Sequence, residues 1–108
     1  MKRLLCIAGL LLATAGATNA AEAKANWDKH CAKCHGVDGK GQTKMGKQAG
    51  AKDYTDPKVQ AELKDDKAIK TIKEGFSVDG KKKMDPYADK LSDDEVKALV
   101  AYIRAFKK

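Results

Sequence analysis

The most regular pattern of apolar and polar residues lies at the carboxyl end of the chain. Its apolar positions recur at helical spacing, at Val96, Leu99, Val100, Ile103 and Phe106, and therefore share one face of a helix. Just before this run, Ser92 and Glu95 have the spacing of a capping box, and Leu91 with Val96 matches a hydrophobic staple. The pattern predicts a helix that begins after Ser92 and buries one face.

A second apolar stripe lies in the first third of the chain, at Ala23, Trp27, Cys31 and Cys34. This spacing predicts a first helix over residues 21–34. Trp27 is expected to pack in the core. His30 falls off the stripe, so its side chain is expected to face solvent.

Two shorter helices are predicted between these elements. Asp56 and Pro57 supply an N-cap and a first-turn proline for a helix that reaches about residue 63. Another begins at Asp65 or Asp66 and stops at Gly75, with one apolar face formed by Ala68, Ile69 and Ile72. Residues 36–52, which are rich in glycine, and residues 76–89 are predicted to be loops. Every regular element predicted is helical, which gives an all-α fold of four to five helices.

The first residues have the character of an export signal. Lys2 and Arg3 precede an apolar run over residues 4–12, and small residues follow as far as Ala21. The run is too short for a transmembrane helix, so no stable membrane insertion is expected. Cleavage after Ala20 would leave a signal peptide over residues 1–20 and a single domain over residues 21–108. It would also lower the formal net charge from +7 to +5, because two basic residues and no acidic ones are removed.

Cys31 and Cys34, followed directly by His35, carry the clearest chemistry in the chain. Two cysteines three residues apart with a histidine next to the second are typical of covalent c-type haem attachment. On a helix both thiols share a face and can form thioethers with one haem edge, while His35 supplies the proximal iron ligand. A small domain with little apolar core would also gain stability from a buried cofactor.

Three other interpretations of the two cysteines are weaker. A dithiol redox pair usually follows a strand, and no strand-like alternation precedes Cys31. A zinc site needs four ligands, and only His30 and Cys6 remain to complete one. A structural disulfide would leave His35 unexplained.

The opposite face of the iron needs a second ligand, for which Met84, Met45 and His30 are candidates, with lysines a remote alternative. Met84 is favoured because Pro86, two residues later, restricts its loop. Met45 lies in the glycine-rich segment. Either methionine could instead fill space in the core.

Taken together, Cys31-Ala-Lys-Cys-His35-Gly36, the glycine-bearing loop, Met84-Asp-Pro-Tyr87 and the aromatic carboxyl-terminal helix resemble a small class I c-type cytochrome. The resemblance covers essentially the whole of residues 21–108. It implies that the N- and C-terminal helices cross around one covalent haem c, with the iron held by His35 and Met84. It departs from the family in one detail, because Asp85 stands where many members have a proline directly after the methionine.

These features predict a periplasmic monohaem electron carrier that cycles between Fe(II) and Fe(III) and is not an enzyme. One alternative is an enzyme or gas sensor whose methionine leaves the iron, and another is a module bound permanently to a larger redox complex. Lys81, Lys82 and Lys83 directly precede Met84, so we expect redox partner proteins with acidic docking faces. A nucleic-acid partner is not expected, because no aromatic residues interleave with the basic ones. We expect a monomer.

Overall fold

The structure is a computed structural model that describes residues 20–108. The predicted signal peptide therefore lies outside the described residues, apart from Ala20 at its end. None of the helices between residues 20 and 108 is long and apolar enough to cross a membrane.

The chain opens with one continuous helical stretch that changes its winding midway. Helix α1 (Ala20–Asn26) leads into a π-helical segment (Trp27–Cys31) and then into helix α2 (Ala32–His35). The N–H of Ala32 donates to the carbonyl of Trp27, which marks the wider turn. The first predicted helix is thus confirmed, while its π-helical segment was not predicted. Such segments occur often at functional sites, and this one ends at Cys31.

The last helix, α6 (Asp93–Arg104), is the element that the sequence predicts best. Both halves of its capping box form: the Glu95 N–H donates to Ser92 Oγ at 3.1 Å, and the Ser92 N–H donates to Glu95 Oε1 at 2.9 Å. Val96 and Leu99 on its inner face are completely buried. The carboxyl-terminal helix and its buried stripe are confirmed.

Helix α1 packs against α6, and Trp27 of the π-helical segment joins this contact through its ring. The ring of Trp27 lies 5.6 Å from that of Tyr102 and 5.1 Å from that of Phe106. At the other end of the contact, Asn26 Nδ2 donates to Glu95 Oε2 at 3.0 Å. The expected pairing of the first and last helices is confirmed.

The two middle helices complete the core. Helix α4 (Pro57–Glu62) is capped by the Asp56 carboxylate, and helix α5 (Asp65–Glu74) ends at Gly75. Ala68 and Ile72 of α5 join the buried face of α6 in one apolar cluster. Both helices agree with the sequence prediction.

Residues 36–52, predicted to be a loop, contain a short helix. Helix α3 (Lys44–Ala49) is capped by Thr43, whose hydroxyl accepts from the Gly46 N–H at 2.9 Å. The loop prediction is wrong here because the Thr43 cap and good helix formers such as Met45 and Ala49 outweigh the single weak one, Gly46. With the opening stretch counted as one, the part of the chain from residue 20 onwards has five helical stretches.

Residues 76–89, also predicted to be a loop, begin with a β-hairpin. Strand β1 (Phe76–Val78) pairs antiparallel with strand β2 (Lys81–Met84). The turn residues Asp79 and Gly80 have φ values of 51° and 75°, which is the left-handed backbone of a two-residue hairpin turn. The prediction that every regular element is helical is wrong in this hairpin, although the fold remains mainly helical.

Candidate haem site

A large cavity opens between the first helical stretch, the middle helices and the hairpin. Its volume is about 530 Å³, within the range of about 300–1,000 Å³ for small-molecule and cofactor sites. The residues predicted for the site all line it, namely Cys31, Cys34, His35 and Met84. The fold therefore brings residues from opposite halves of the chain to the wall of one cavity.

The two cysteines carry free thiols on this wall. Cys31 is buried and Cys34 is half-buried. Burial, with a smaller contribution from Cys34, raises the pKa of the Cys31 thiol to about 12. A buried thiol with a raised pKa is unlike the acidic thiolate of a dithiol oxidoreductase, which argues against a redox pair.

His35 presents a buried imidazole to the same cavity. Burial lowers its pKa, so the ring is neutral at pH 7, as a metal ligand must be. Its Nδ1 is buried and has no hydrogen-bond partner among residues 20–108. Within that range no three His, Cys, Asp or Glu side chains cluster to hold an ion by themselves. These residues fit haem, since the porphyrin itself supplies the remaining ligands of the iron.

Hydrogen bonds fix the backbone that carries the motif. The Thr43 hydroxyl donates to the Cys34 carbonyl at 2.7 Å, the Gly41 N–H donates to the His35 carbonyl at 2.8 Å, and Trp27 Nε1 donates to the Gly36 carbonyl at 2.9 Å. These carbonyls belong to the end of a helix, where no intrahelical partner exists. Through Gly41 and Thr43, the glycine-rich segment thus holds the backbone of the attachment motif in place.

Met84 and Met45 both line the cavity, but their surroundings differ. Met84 is the last residue of β2 and packs against the apolar core. A side chain at Gly75 would meet the Met84 carbonyl at 2.6 Å, so Gly75 allows the two segments to pass closely. Met45 lies on the short helix α3 and is 42% exposed. Because a ligand must be held rigidly, this difference favours Met84.

His30 also lines the cavity. It is half-buried, with its ring 5.3 Å from that of Tyr87. The Tyr87 hydroxyl donates to the His30 carbonyl at 3.0 Å. The expectation of a simply solvent-exposed histidine is wrong, because the segment after Met84 folds back over this part of the helix.

Tyr54 is a cavity residue that the sequence gave no reason to select. It lies between α3 and α4, and its ring is stacked on that of His35 with a centroid distance of 5.5 Å. Sequence periodicity carries no information about a contact between a loop and a distant helix. Five lysines also line the cavity: Lys52, Lys64, Lys67, Lys82 and Lys83. Of these, the sequence pointed only to Lys82 and Lys83, which directly precede Met84.

Comparison with known proteins shows the family of the chain. The cytochrome c family model matches residues 20–107. Among solved structures, the chain is similar to the KustC0563 c-type cytochrome, with 40% identity and a TM-score of 0.72 over 80% of this chain and 98% of that one. A tyrosine-to-phenylalanine mutant of Kustc0563 matches with 39% identity and a TM-score of 0.69, over 79% and 98% of the two chains. No curated protein matches the chain.

The family match spans almost every described residue, and the solved relatives agree with it over most of the chain. Membership implies a covalently bound haem c, the cofactor that the cavity and its two thiols fit. The chain belongs to the cytochrome c family of haem-based electron carriers.

Proposed function

We propose that this protein is a periplasmic monohaem electron carrier whose haem is attached through Cys31 and Cys34 and whose iron is held by His35 and Met84. The observation that carries this proposal is the meeting of these four side chains on the wall of one cavity. The apolar run over residues 4–12 supports export, and thioether attachment in an exported chain accounts for the cysteine pair.

Each part of the chain has a distinct task in this proposal. Haem supplies the one-electron chemistry when it is bound. The neutral imidazole of His35 and the thioether of Met84 would hold the iron, and a methionine ligand raises the reduction potential. Buried apolar residues of the lining, including Leu99 and Ile103, exclude water from the iron. With the iron held by both residues, no position would remain for a substrate, which favours a carrier over an enzyme or a gas sensor.

The lysines around the cavity support an acidic redox partner. Five lysines line it, and Lys82 Nζ is bound to Asp85 Oδ1 at 2.8 Å. A cluster of like charge beside the exposed haem edge would steer an oppositely charged protein and raise its association rate. The protein acts as a monomer in this proposal, since transient docking needs only one such face.

Expression of the full chain with a haem-attachment system tests the proposal. The purified protein should lack the export signal, carry the mass of one haem, and be reduced and reoxidised reversibly by the host's membrane fraction. The ferrous form should not bind carbon monoxide. A protein that binds carbon monoxide readily would instead be the enzyme or gas sensor.

The docking face is tested with two matched pairs of substitutions. Lys82→Gln with Lys83→Gln removes two charges from the cavity, one of which is paired with Asp85. The control pair, Lys24→Gln with Lys97→Gln, lies outside the cavity lining, and Lys24 is likewise paired, with Asp28 at 2.6 Å. The first pair should slow electron transfer at low ionic strength and flatten its salt dependence more than the control. Equal rates and equal salt slopes would place the docking face elsewhere.

A further inference from the structure

The imidazole of His35 contacts two aromatic rings. Tyr54 is stacked on it, with a centroid distance of 5.5 Å and an interplanar angle of 28°. Trp27 contacts it at 5.5 Å and 38°. A metal-binding imidazole is usually oriented by a hydrogen bond from its second ring nitrogen, yet His35 Nδ1 makes none within the described residues. Ring contacts are therefore what limits rotation of this imidazole.

Tyr54 is itself anchored at both of its backbone groups. Its N–H donates to the Gly39 carbonyl at 2.8 Å, and its carbonyl accepts from Gln60 Nε2 at 2.7 Å. Because both backbone groups of Tyr54 are hydrogen-bonded, the position of its Cα is fixed, and its ring is held against His35.

Gln60 links this anchor to the last helix. It is 5% exposed and is the one buried polar residue in the core of residues 20–108. Its Nε2 also donates to the Ile103 carbonyl at 2.8 Å, and its Oε1 accepts from Arg104 Nη1 at 3.2 Å. A buried polar network with its groups satisfied rigidifies and specifies one arrangement. The network joins α4, α6 and the segment that carries Tyr54.

We propose that Tyr54 is a positioning residue that sets the orientation of the His35 imidazole, and that Gln60 holds Tyr54 in place. The inference rests on His35 being the axial ligand proposed above. The orientation of the imidazole determines how it overlaps with the iron, and the packed ring keeps water from the ligand. Both effects belong to the outer shell that tunes a metal centre.

Two readouts on the haem-loaded protein test this role: the pattern of paramagnetically shifted haem methyl resonances in the ferric state, and the reduction potential. Tyr54→Leu should change the methyl pattern, because the imidazole plane rotates. It should also shift the one-electron equilibrium toward the ferric form by about threefold, or about 30 mV at 59 mV per tenfold, because water gains access. Tyr54→Phe keeps the ring and should preserve both readouts.

Tyr102→Leu is the matched control. Tyr102 is also a half-buried tyrosine of the core, and its ring contacts Trp27 and Phe106. This variant should lose stability but keep the methyl pattern and the potential of the wild type. If Tyr54→Leu left both readouts unchanged, or if Tyr102→Leu moved both equally, Tyr54 would be ordinary core and the inference would be overturned.

Gln60→Met provides a second variant should Tyr54→Leu fail to retain haem. It keeps the Tyr54 ring and removes its carbonyl anchor, so both readouts should move in the same direction by a smaller amount. An unchanged methyl pattern in Gln60→Met would overturn the anchoring role. A wild-type spectrum without histidine–methionine ligation would overturn the proposed function and the inference together, whereas a normal wild type with an unresponsive Tyr54→Leu overturns the inference alone.

Discussion

Removal of the two cysteines that we propose attach haem should leave a chain that cannot maintain its native packing. In Cys31→Ala with Cys34→Ala, no thioether can form, and the cavity of about 530 Å³ must remain empty or collapse. Its lining includes Trp27, Leu99 and Ile103, which are also central members of the apolar cluster. Loss of haem therefore affects the core directly.

The magnitude follows from the cavity volume. Core cavities cost about 24 cal/mol per Å³, which gives about 13 kcal/mol for this volume. The figure is an upper bound, because one side of the cavity opens to water. A domain of about 90 residues has a total stability of about 4–13 kcal/mol at ~0.05–0.15 kcal/mol per residue. At this upper bound, the empty cavity costs about as much as the whole domain can supply.

The assay compares circular dichroism and denaturant unfolding of the double variant with those of the haem-loaded wild type. We expect helical signal in the far ultraviolet to persist in part, the near-ultraviolet signal of Trp27 to disappear, and no cooperative transition. Cys31→Ala alone, which retains one possible thioether, should lie between the two. A haem-free double variant with a sharp, cooperative transition and a native near-ultraviolet signal would refute the reasoning.

Two further predictions concern the packing of the motif and of the helix pair. A side chain at Gly46 would point into the Cys34 carbonyl and lie 2.7 Å from the Gly41 carbonyl. Gly46→Ala should therefore lower the unfolding free energy of the haem-loaded protein by about 1–3 kcal/mol. Gln48→Ala, on the exposed face of the same helix, should not. Equal losses in the two variants would contradict the importance of the close packing at Gly46. The Ser92 backbone N–H, and then Asn26, lower the pKa of Glu95 below its usual 4.5. Its contribution to stability should be fully present above pH 4.5 and lost as the pH falls through the lowered value. The unfolding free energies of wild type and Glu95→Gln should hence differ at pH 7 and converge in acid, and a difference that does not change with pH would contradict the sign of this argument.

Local sequence signals predicted the elements whose causes are themselves local. The capping box at Ser92 and Glu95 predicted the start of α6, and Asp56 with Pro57 predicted that of α4, since a cap acts within one turn. The hairpin carried an equally local signal in Asp79-Gly80, a preferred pair for such a turn. The lysines that follow this pair are poor strand formers, so the second strand has little signal of its own in the sequence.

The candidate site was predictable where chemistry fixes the spacing and unpredictable where the fold brings distant residues together. Cys31, Cys34 and His35 lie within one helical turn or so of one another in sequence, so helix geometry predicted that they line the same site. The choice between Met84 and Met45 depends on which of them packs against the core, which requires the tertiary structure. The contact of Tyr54 with His35 and the anchoring of Tyr54 by Gln60 are of this second kind.

The most direct test of haem binding by this set of residues compares the spectra of the wild type, Met84→Ala and Met45→Ala, each loaded with haem. In wild type and Met45→Ala, the ferric protein should show the charge-transfer band of methionine-bound iron, and the ferrous protein should not bind carbon monoxide. Met84→Ala should keep its covalent haem, lose that band, bind carbon monoxide and have a lower reduction potential. Loss of the band in Met45→Ala, with its retention in Met84→Ala, would contradict the assignment of Met84 as the axial ligand.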